Sequence, residues 1–495
     1  MPLASRHAAL LLTALLLLAC GGQHAAPAVV VAATPELEPA PRFVAPTWRN
    51  SAYGIEVPCT DDELDDLESH SPGVIYLGSR VVSIATSAPN ATAAFQQVSG
   101  PVSILLQTLD EGVLSEVEAL AKRHPVLVKV DRGVGHQVKP LSQLRYIDGL
   151  RLDDFASEVE LDWSAFKRLR WLSLTRAWNT SRTLPRLPKT IERLWLAGDH
   201  DDTTPLTELT RLKSLSMDLG ALPSLATLDT FKELRELTAA GAIRDQDLQH
   251  LSRLEHLESF STQSVNVSNR GVHHLVAASS LKRLRIPRGI NDDGLKELAQ
   301  LKHLAELELG DSVTDKGMQE VARFEQLEKL TLDSEARVTD AGIKLLRGLK
   351  LRELDLAGLP LTDEVAETLA RFNELRRLNL NHTRITGRTA RQLPRSLRVL
   401  DLGCTNLDSS AVGELARLTN LRALSLMFVQ FDDAAFAKLA KLQGLRRLVF
   451  SSNDLTPASK TTLLSLPHLS LLNSSGSLGC AGMELTSVTC DPGLR

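Results

Sequence analysis

Along residues 141–473 the apolar positions recur as L-x-x-L-x-L. The first residue of each string falls at Ile147, Leu169, Ile191, Leu212, Leu234, Leu257 and Leu281, then at Leu304, Leu327, Leu351, Leu375, Leu397, Leu421 and Leu445. Consecutive starts lie 21 to 24 residues apart, and a degenerate copy begins at Leu469. Alternate residues of a strand face one side, so the fourth and sixth positions are predicted to point inward and the third and fifth outward. Between strands come stretches such as Val338 to Leu346, where Thr339 or Asp340 can cap a helix whose apolar residues follow helical spacing. The phrase T-D-x-G stands there and at Thr314–Gly317, with N-D-D-G at Asn291–Gly294. Pro185, Pro188 and Pro394 predict short extended or irregular return segments in their repeats. No repeat buries its leucines alone, whereas stacked neighbours do, at ~1.5–3 kcal/mol per fully buried leucine. The pattern therefore predicts one α/β solenoid with a curved parallel sheet and about 15 repeats.

These strings resemble leucine-rich repeats over about two thirds of the chain, and the T-D-x-G phrase resembles the repeat type found in bacterial and F-box-associated proteins. The resemblance implies protein–protein recognition through the concave face. No F-box segment precedes the repeats, so an adaptor role in ubiquitin transfer is not carried over.

The ends carry a different kind of information. Arg6 followed by the apolar stretch Ala8 to Leu18 predicts a signal peptide over residues 1–19, too short to span a bilayer. Leu17-Leu18-Ala19-Cys20 resembles the lipobox of bacterial lipoproteins, which implies lipidation at Cys20; Gly21 in place of Asp implies outer-membrane sorting. An ordinary signal peptide cut near the same place is the alternative. Residues 20–47, rich in Ala, Val and Pro, predict a lipid-anchored tether reaching up to roughly 80 Å at about 3.1 Å per residue. The expected location is the cell envelope, with the membrane touched only through the N-terminal anchor.

Residues 48–140 are expected to cap the solenoid as degenerate repeats, with a small independent domain as the alternative. Val74–Leu77 and Arg80–Ile84 flank Gly78-Ser79, a hairpin signal. Val102–Leu106 and Pro125–Val130 read as strands, and Ser115 to Glu118 as a capping box opening a helix. Residues 474–495 form the other cap, where Cys480 and Cys490 are expected to pair as they would in an exported protein. Cys59 and Cys404 have no partner visible in sequence.

Composition narrows the function classes. A net charge of -4 and 4% aromatic residues give no basic excess for nucleic acid. The chain lacks G-x-S-x-G, H-E-x-x-H, P-loop and kinase motifs, so no catalytic residue, cofactor or metal is expected. His273-His274 read as a solvated pair on a convex helix, and Asp199-His200-Asp201-Asp202 as a polar loop.

The outward positions carry the candidate chemistry. Third positions read Arg283, Glu306, Lys329, Glu353 and Arg377, an alternating ladder expected to satisfy itself. Fifth positions from Glu308 through Asp355, Asn379 and Asp401 are mainly acidic. Trp163, Trp171, Trp178 and Trp195 cluster in one segment, and Trp171 and Trp195 fall at outward positions of adjacent strands. Exposed indoles there would serve as anchors for a protein or, second, as platforms for a glycan. The leading expectation is thus a non-catalytic, lipid-anchored binding protein. An enzyme with residues 48–140 as its catalytic unit and a structural envelope spacer are the alternatives.

Overall fold

The computed structural model describes residues 80–475, except 89–90, 132–133, 135–137, 154–160, 176–182, 198–202, 219–224, 242, 287, 452–454 and 470, together with short strands at 48–50, 56–58, 67–71, 74–77 and 489–491. Cys20, Cys59, Cys480, Trp178 and Asp199 to Asp202 lie outside the described residues. Cys490 is described only through its backbone.

Each L-x-x-L-x-L string forms a strand, and each strand lies parallel to the next. Gly149–Asp153 pairs with Trp171–Thr175, which pairs with Arg193–Ala197, and so on without interruption to Leu471–Ser475. The register advances by one whole repeat each time: Leu307 stands opposite Leu330, Leu330 opposite Leu354, and Leu354 opposite Leu378. Inward positions are closed to solvent, and a single apolar core runs from Val81 to Leu469. Short α- and 3-10 helices line the opposite side. This is the curved leucine-rich repeat solenoid that the periodicity predicts.

The sheet continues into the N-terminal segment. Val74–Leu77 and Arg80–Ala85 pair antiparallel, while Arg80–Ala85, Val102–Leu106, Val126–Val130 and Gly149–Asp153 follow one another in parallel. One local expectation is corrected. The helix spans Glu111–Ala121 with Asp110 at its N-cap, so Ser115 lies inside it and caps nothing. Leu114, Val117, Leu120 and Ala121 are its buried residues, and that stripe begins before Ser115.

The T-D-x-G phrase acquires a complete physical reading. Its threonine accepts a hydrogen bond from the N–H two residues on, as Thr339 does from Ala341 at 3.3 Å, and so caps its own helix. Its aspartate instead reaches forward to the next repeat. Asp292 accepts the Thr314 N–H at 2.9 Å and the Thr314 Oγ1–H at 2.6 Å. Asp315 binds Thr339 in the same two-pronged way at 2.8 and 2.7 Å, as Asp340 binds Thr362 at 2.9 and 2.7 Å. Asp245 with Ser268 and Asp433 with Thr456 extend the series in both directions.

The glycine of the phrase makes room for that carboxylate. A Cβ at Gly317 would fall 2.5 Å from Asp292 Oδ1, and one at Gly342 would fall on Asp315 Oδ1. Glycine is not needed in every such place: Val365 stands there opposite Asp340, and Thr389 and Ser459 stand there opposite Asp363 and Asp433 and donate their hydroxyls to those carboxylates. Gly387 occupies the aspartate place, and the next repeat carries Ala411 in the glycine place, with its methyl in the vacated volume. Aspartate and threonine therefore form one device spread over two repeats, with glycine making room for the carboxylate at Gly317 and Gly342.

The prediction is a contrast between two Gly→Ala changes. Gly342→Ala forces the Asp315 carboxylate away from Thr339 and lowers stability in chemical denaturation by about 1–3 kcal/mol. Gly348→Ala, where nothing lies within 4 Å of the new methyl, leaves stability unchanged or slightly raised.

Candidate functional site

Parallel pairing turns the outward positions into two rows across the concave sheet, with strands about 4.8 Å apart. The third-position row runs Gly149, Trp171, Arg193 and Ser214, then Glu236, Ser259 and Arg283. It continues through Glu306, Lys329, Glu353, Arg377 and Val399. The fifth-position row runs Arg151, Ser173, Trp195 and Ser216 to Thr238, Ser261 and Arg285, and then Glu308, Thr331, Asp355, Asn379 and Asp401. The concave face thus has an aromatic and basic end, a neutral Ser/Thr middle, and an acidic strip.

At the aromatic end the four tryptophans of the segment separate. Trp163 is core, 4% exposed and packed 5.9 Å from the Phe166 ring centroid. Trp171 is half-buried against Gly149, which has no side chain to hold it off. Trp195 is 37% exposed, and the Arg151 guanidinium sits 5.5 Å from its ring centroid, a cation–π contact. Arg151 Nε donates to both oxygens of Asp153 at 3.1 and 2.8 Å, and Thr175 Oγ1 donates to the same carboxylate at 3.2 Å. Arg151 is thereby fixed while its face stays under the indole, so Trp195 is presented in one orientation.

The charge ladder is satisfied, partly between neighbours and partly across a gap. Lys329 meets Glu353 at 2.7 Å and Arg377 meets the same carboxylate at 3.2 Å. Arg285 meets Glu308 at 2.9 Å. Arg283 reaches over Ser259 to Glu236 at 3.0 Å, and Arg193 reaches over Ser214 to Glu236 at 3.8 Å. Serine in the intervening strand is short enough to let the long side chain pass.

Two carboxyls of the acidic strip are held above their ordinary range. Burial raises Glu308, against the opposing pull of Arg285 and Lys329. Burial raises Asp355 likewise, opposed by the Ala357 N–H and Asn379 and aided by the charge of Asp401. Asp401 accepts from Gly403 N at 2.9 Å and from Asn381 Nδ2 at 3.2 Å. On the convex side the balance reverses. Burial works against the Asp363 carboxylate, but donation from Thr386 and Thr389 outweighs it and holds that group low, as Ser459 and Thr456 do for Asp433.

Beyond the strand ends the rim carries a feature that the sequence reading missed. Five residues after the third-position residues Glu353, Arg377, Val399 and Ala423 stand backbones of left-handed sign: Gly358, His382, Cys404 and Phe428, with φ of 77°, 55°, 52° and 57°. The His382 N–H donates to Gly403 O at 2.9 Å and the Cys404 N–H to Met427 O at 2.7 Å, so hydrogen bonding to the next repeat offsets the strain. Phe428 is left 61% exposed at the end of this row. Cys404 is a free, half-buried thiol whose pKa is pushed up by burial and by Asp401, the opposite of an activated nucleophile. His273 and His274 stack at 3.7 Å on the helix Val272–Ala277, and among the described residues no cluster of three or more metal-ligating side chains occurs.

No family model matches the sequence, and no curated protein is similar to it. Among solved structures, the chain is similar to an internalin (inlF) from Listeria monocytogenes, with 17% identity over 73% of this chain and 94% of that one and a TM-score of 0.40. A leucine-rich repeat protein of Leptospira interrogans is 18% identical over 70% of this chain and 90% of that one, with a TM-score of 0.39. TLR13, solved in a complex with ssRNA13, is 16% identical over 83% of this chain and 70% of that one, with a TM-score of 0.44.

Opposite titration is expected of the two faces. A raised carboxyl favours the folded state below the ordinary carboxylate pKa of about 4, and that contribution is lost as pH rises through its folded value. A depressed one favours folding above about 4, and its contribution is lost as pH falls through its folded value. Carboxyl-resolved NMR titration should place Glu308 and Asp355 above about 4 and Asp363 and Asp433 below it.

Proposed function

We propose that the chain is a non-catalytic binding protein of the bacterial cell envelope, anchored through lipid on Cys20 and held off the membrane by the tether at 20–47, that recognises a protein partner through its concave face. The observation that carries this reading is Trp195, an exposed indole fixed over Arg151 on a rigid sheet. Aromatic and arginine side chains of that kind supply most of the energy in protein interfaces, because they bury much area and lose little freedom on binding. The acidic strip of Glu308, Asp355, Asn379 and Asp401 would meet basic groups of the same partner and set its orientation. A glycan stacking on Trp195 is the lesser form of the same reading. Neither form needs a cofactor.

Affinity capture from envelope extract, followed by mass spectrometry, tests it. The chain is compared with its Trp171→Ala/Trp195→Ala and Asp355→Asn/Asp401→Asn variants after matched folding has been verified by circular dichroism. A protein retained by the parent and lost at least tenfold by the tryptophan variant is the expected result. Equal retention by parent and both variants would remove the concave face from the account.

A further inference from the structure

In the first repeats the segments that return behind the sheet are short 3-10 turns, Lys139–Gln143, Trp163–Ala165 and Leu184–Arg186, with proline entering the first and third at Pro140 and Pro185. Later repeats carry seven-residue α-helices in that place, such as Asp292–Leu298 and Asp315–Val321. A turn of three to five residues brings too little side-chain volume to close the gap to its neighbours that a two-turn helix closes. A cleft of about 710 Å³, lined from all three turns, is the result, and it falls within the size range of small-ligand sites.

The lining joins an apolar wall to an unbalanced charge. Leu161 and the Trp163 indole, both nearly closed to solvent, supply the apolar part. Lys139 stands on one outer turn and Arg186 on the other. Their side chains make no hydrogen bond or ion pair among the described residues. Cations elsewhere on the convex side find carboxylates, as Lys344 meets Glu364 at 3.0 Å and Arg371 meets Glu367 at 2.7 Å. Asp162 is the one carboxylate among the described lining residues, and it is already engaged: it accepts the Ser164 N–H at 3.0 Å and the Ser164 Oγ–H at 2.6 Å as the cap of its own turn. On the turn that carries Lys139, the Ser142 Oγ lines the cleft region buried and without a hydrogen-bond partner among the described residues. A cation beside an apolar wall keeps more of its pull on an anion than it does in open water, because the wall excludes solvent from one side.

We propose that this cleft binds a small amphiphilic anion, with its carboxylate or phosphate head held by Lys139 and Arg186 and its hydrocarbon body laid against Leu161 and Trp163. The site lies behind the sheet and is independent of the partner that the concave face takes.

Calorimetric titration of the full chain with naphthoate, naphthyl phosphate, naphthol and acetate tests this. At least one of the two naphthyl anions should bind about tenfold or more tighter than naphthol, which lacks the charge, and than acetate, which lacks the hydrocarbon body. Naphthoate alone would identify the head as a carboxylate, naphthyl phosphate alone as a phosphate monoester. Arg186→Gln and Lys139→Gln should each weaken that binding about tenfold, the size of a lost hydrogen bond to a charged group. Both residues are exposed, so folding verified by circular dichroism should be unchanged in either variant, and Arg347→Gln, on an exposed convex residue of a later repeat, should bind as the parent does. No binding of either anion, binding of naphthol or acetate as tight as that of the anions, or undiminished binding in either the Arg186 or the Lys139 variant would overturn the proposal.

Discussion

Each aspartate that grips the threonine of the next repeat joins three requirements that a repeat protein must meet at once. It satisfies the N–H and hydroxyl at a helix start that would otherwise lack partners, it sets the axial distance between neighbouring repeats, and it fixes their rotation. Leucine burial drives the stacking but is indifferent to small slips, since apolar contact has no direction. The carboxylate–threonine bridge has direction, and its two prongs admit a single register. Between Asp245 and Thr456 the bridge recurs in most repeats, with Asn269 and Ser409 bonding forward in its place and Gly387 interrupting it, and the sheet rows on the opposite side share its register. Trp195 over Arg151 lies outside this run, where prolines and 3-10 turns replace the helices and the parallel strands alone hold the register.

How much of this could be read from sequence follows from the range of each interaction. The strands and their inward leucines were legible because period acts locally, whereas the return segments expected to be extended or irregular hold a 3-10 turn at Leu184–Arg186 and a short helix at Gly387–Ala390 before Pro394. The capping threonines were legible for the same reason. The forward reach of Asp315 was not, because it depends on where a residue 24 positions later comes to lie. The glycines at 294, 317 and 342 held part of the clue, since a recurring glycine without a left-handed backbone signals that another group uses its space, although Val365, Thr389 and Ser459 fill the same place in later repeats. The helix Glu111–Ala121 began earlier than its apparent capping box, since burial of Leu114 outweighed a local cap.

The candidate surface was legible in outline only. Outward placement of Trp171 and Trp195 follows from alternation, but the half-burial of Trp171 depends on Gly149 in the strand before it. The ladder ions reach over Ser214 and Ser259, a contact that no single string announces. Electrostatically the molecule is divided, with convex carboxylates stabilised as anions by threonine and concave ones raised by burial.

Residue-resolved hydrogen exchange tests the bridge most directly, because the amide of each gripped threonine is bonded to a side chain and to nothing in its own helix. The account predicts that Thr314, Thr339 and Thr362 amides exchange as slowly as strand amides. It also predicts that Asp340→Ala speeds exchange at Thr362 at least tenfold while leaving Thr314 protected. Exchange of these amides at the rate of exposed loops in the parent chain, or an unchanged Thr362 in the variant, would contradict it.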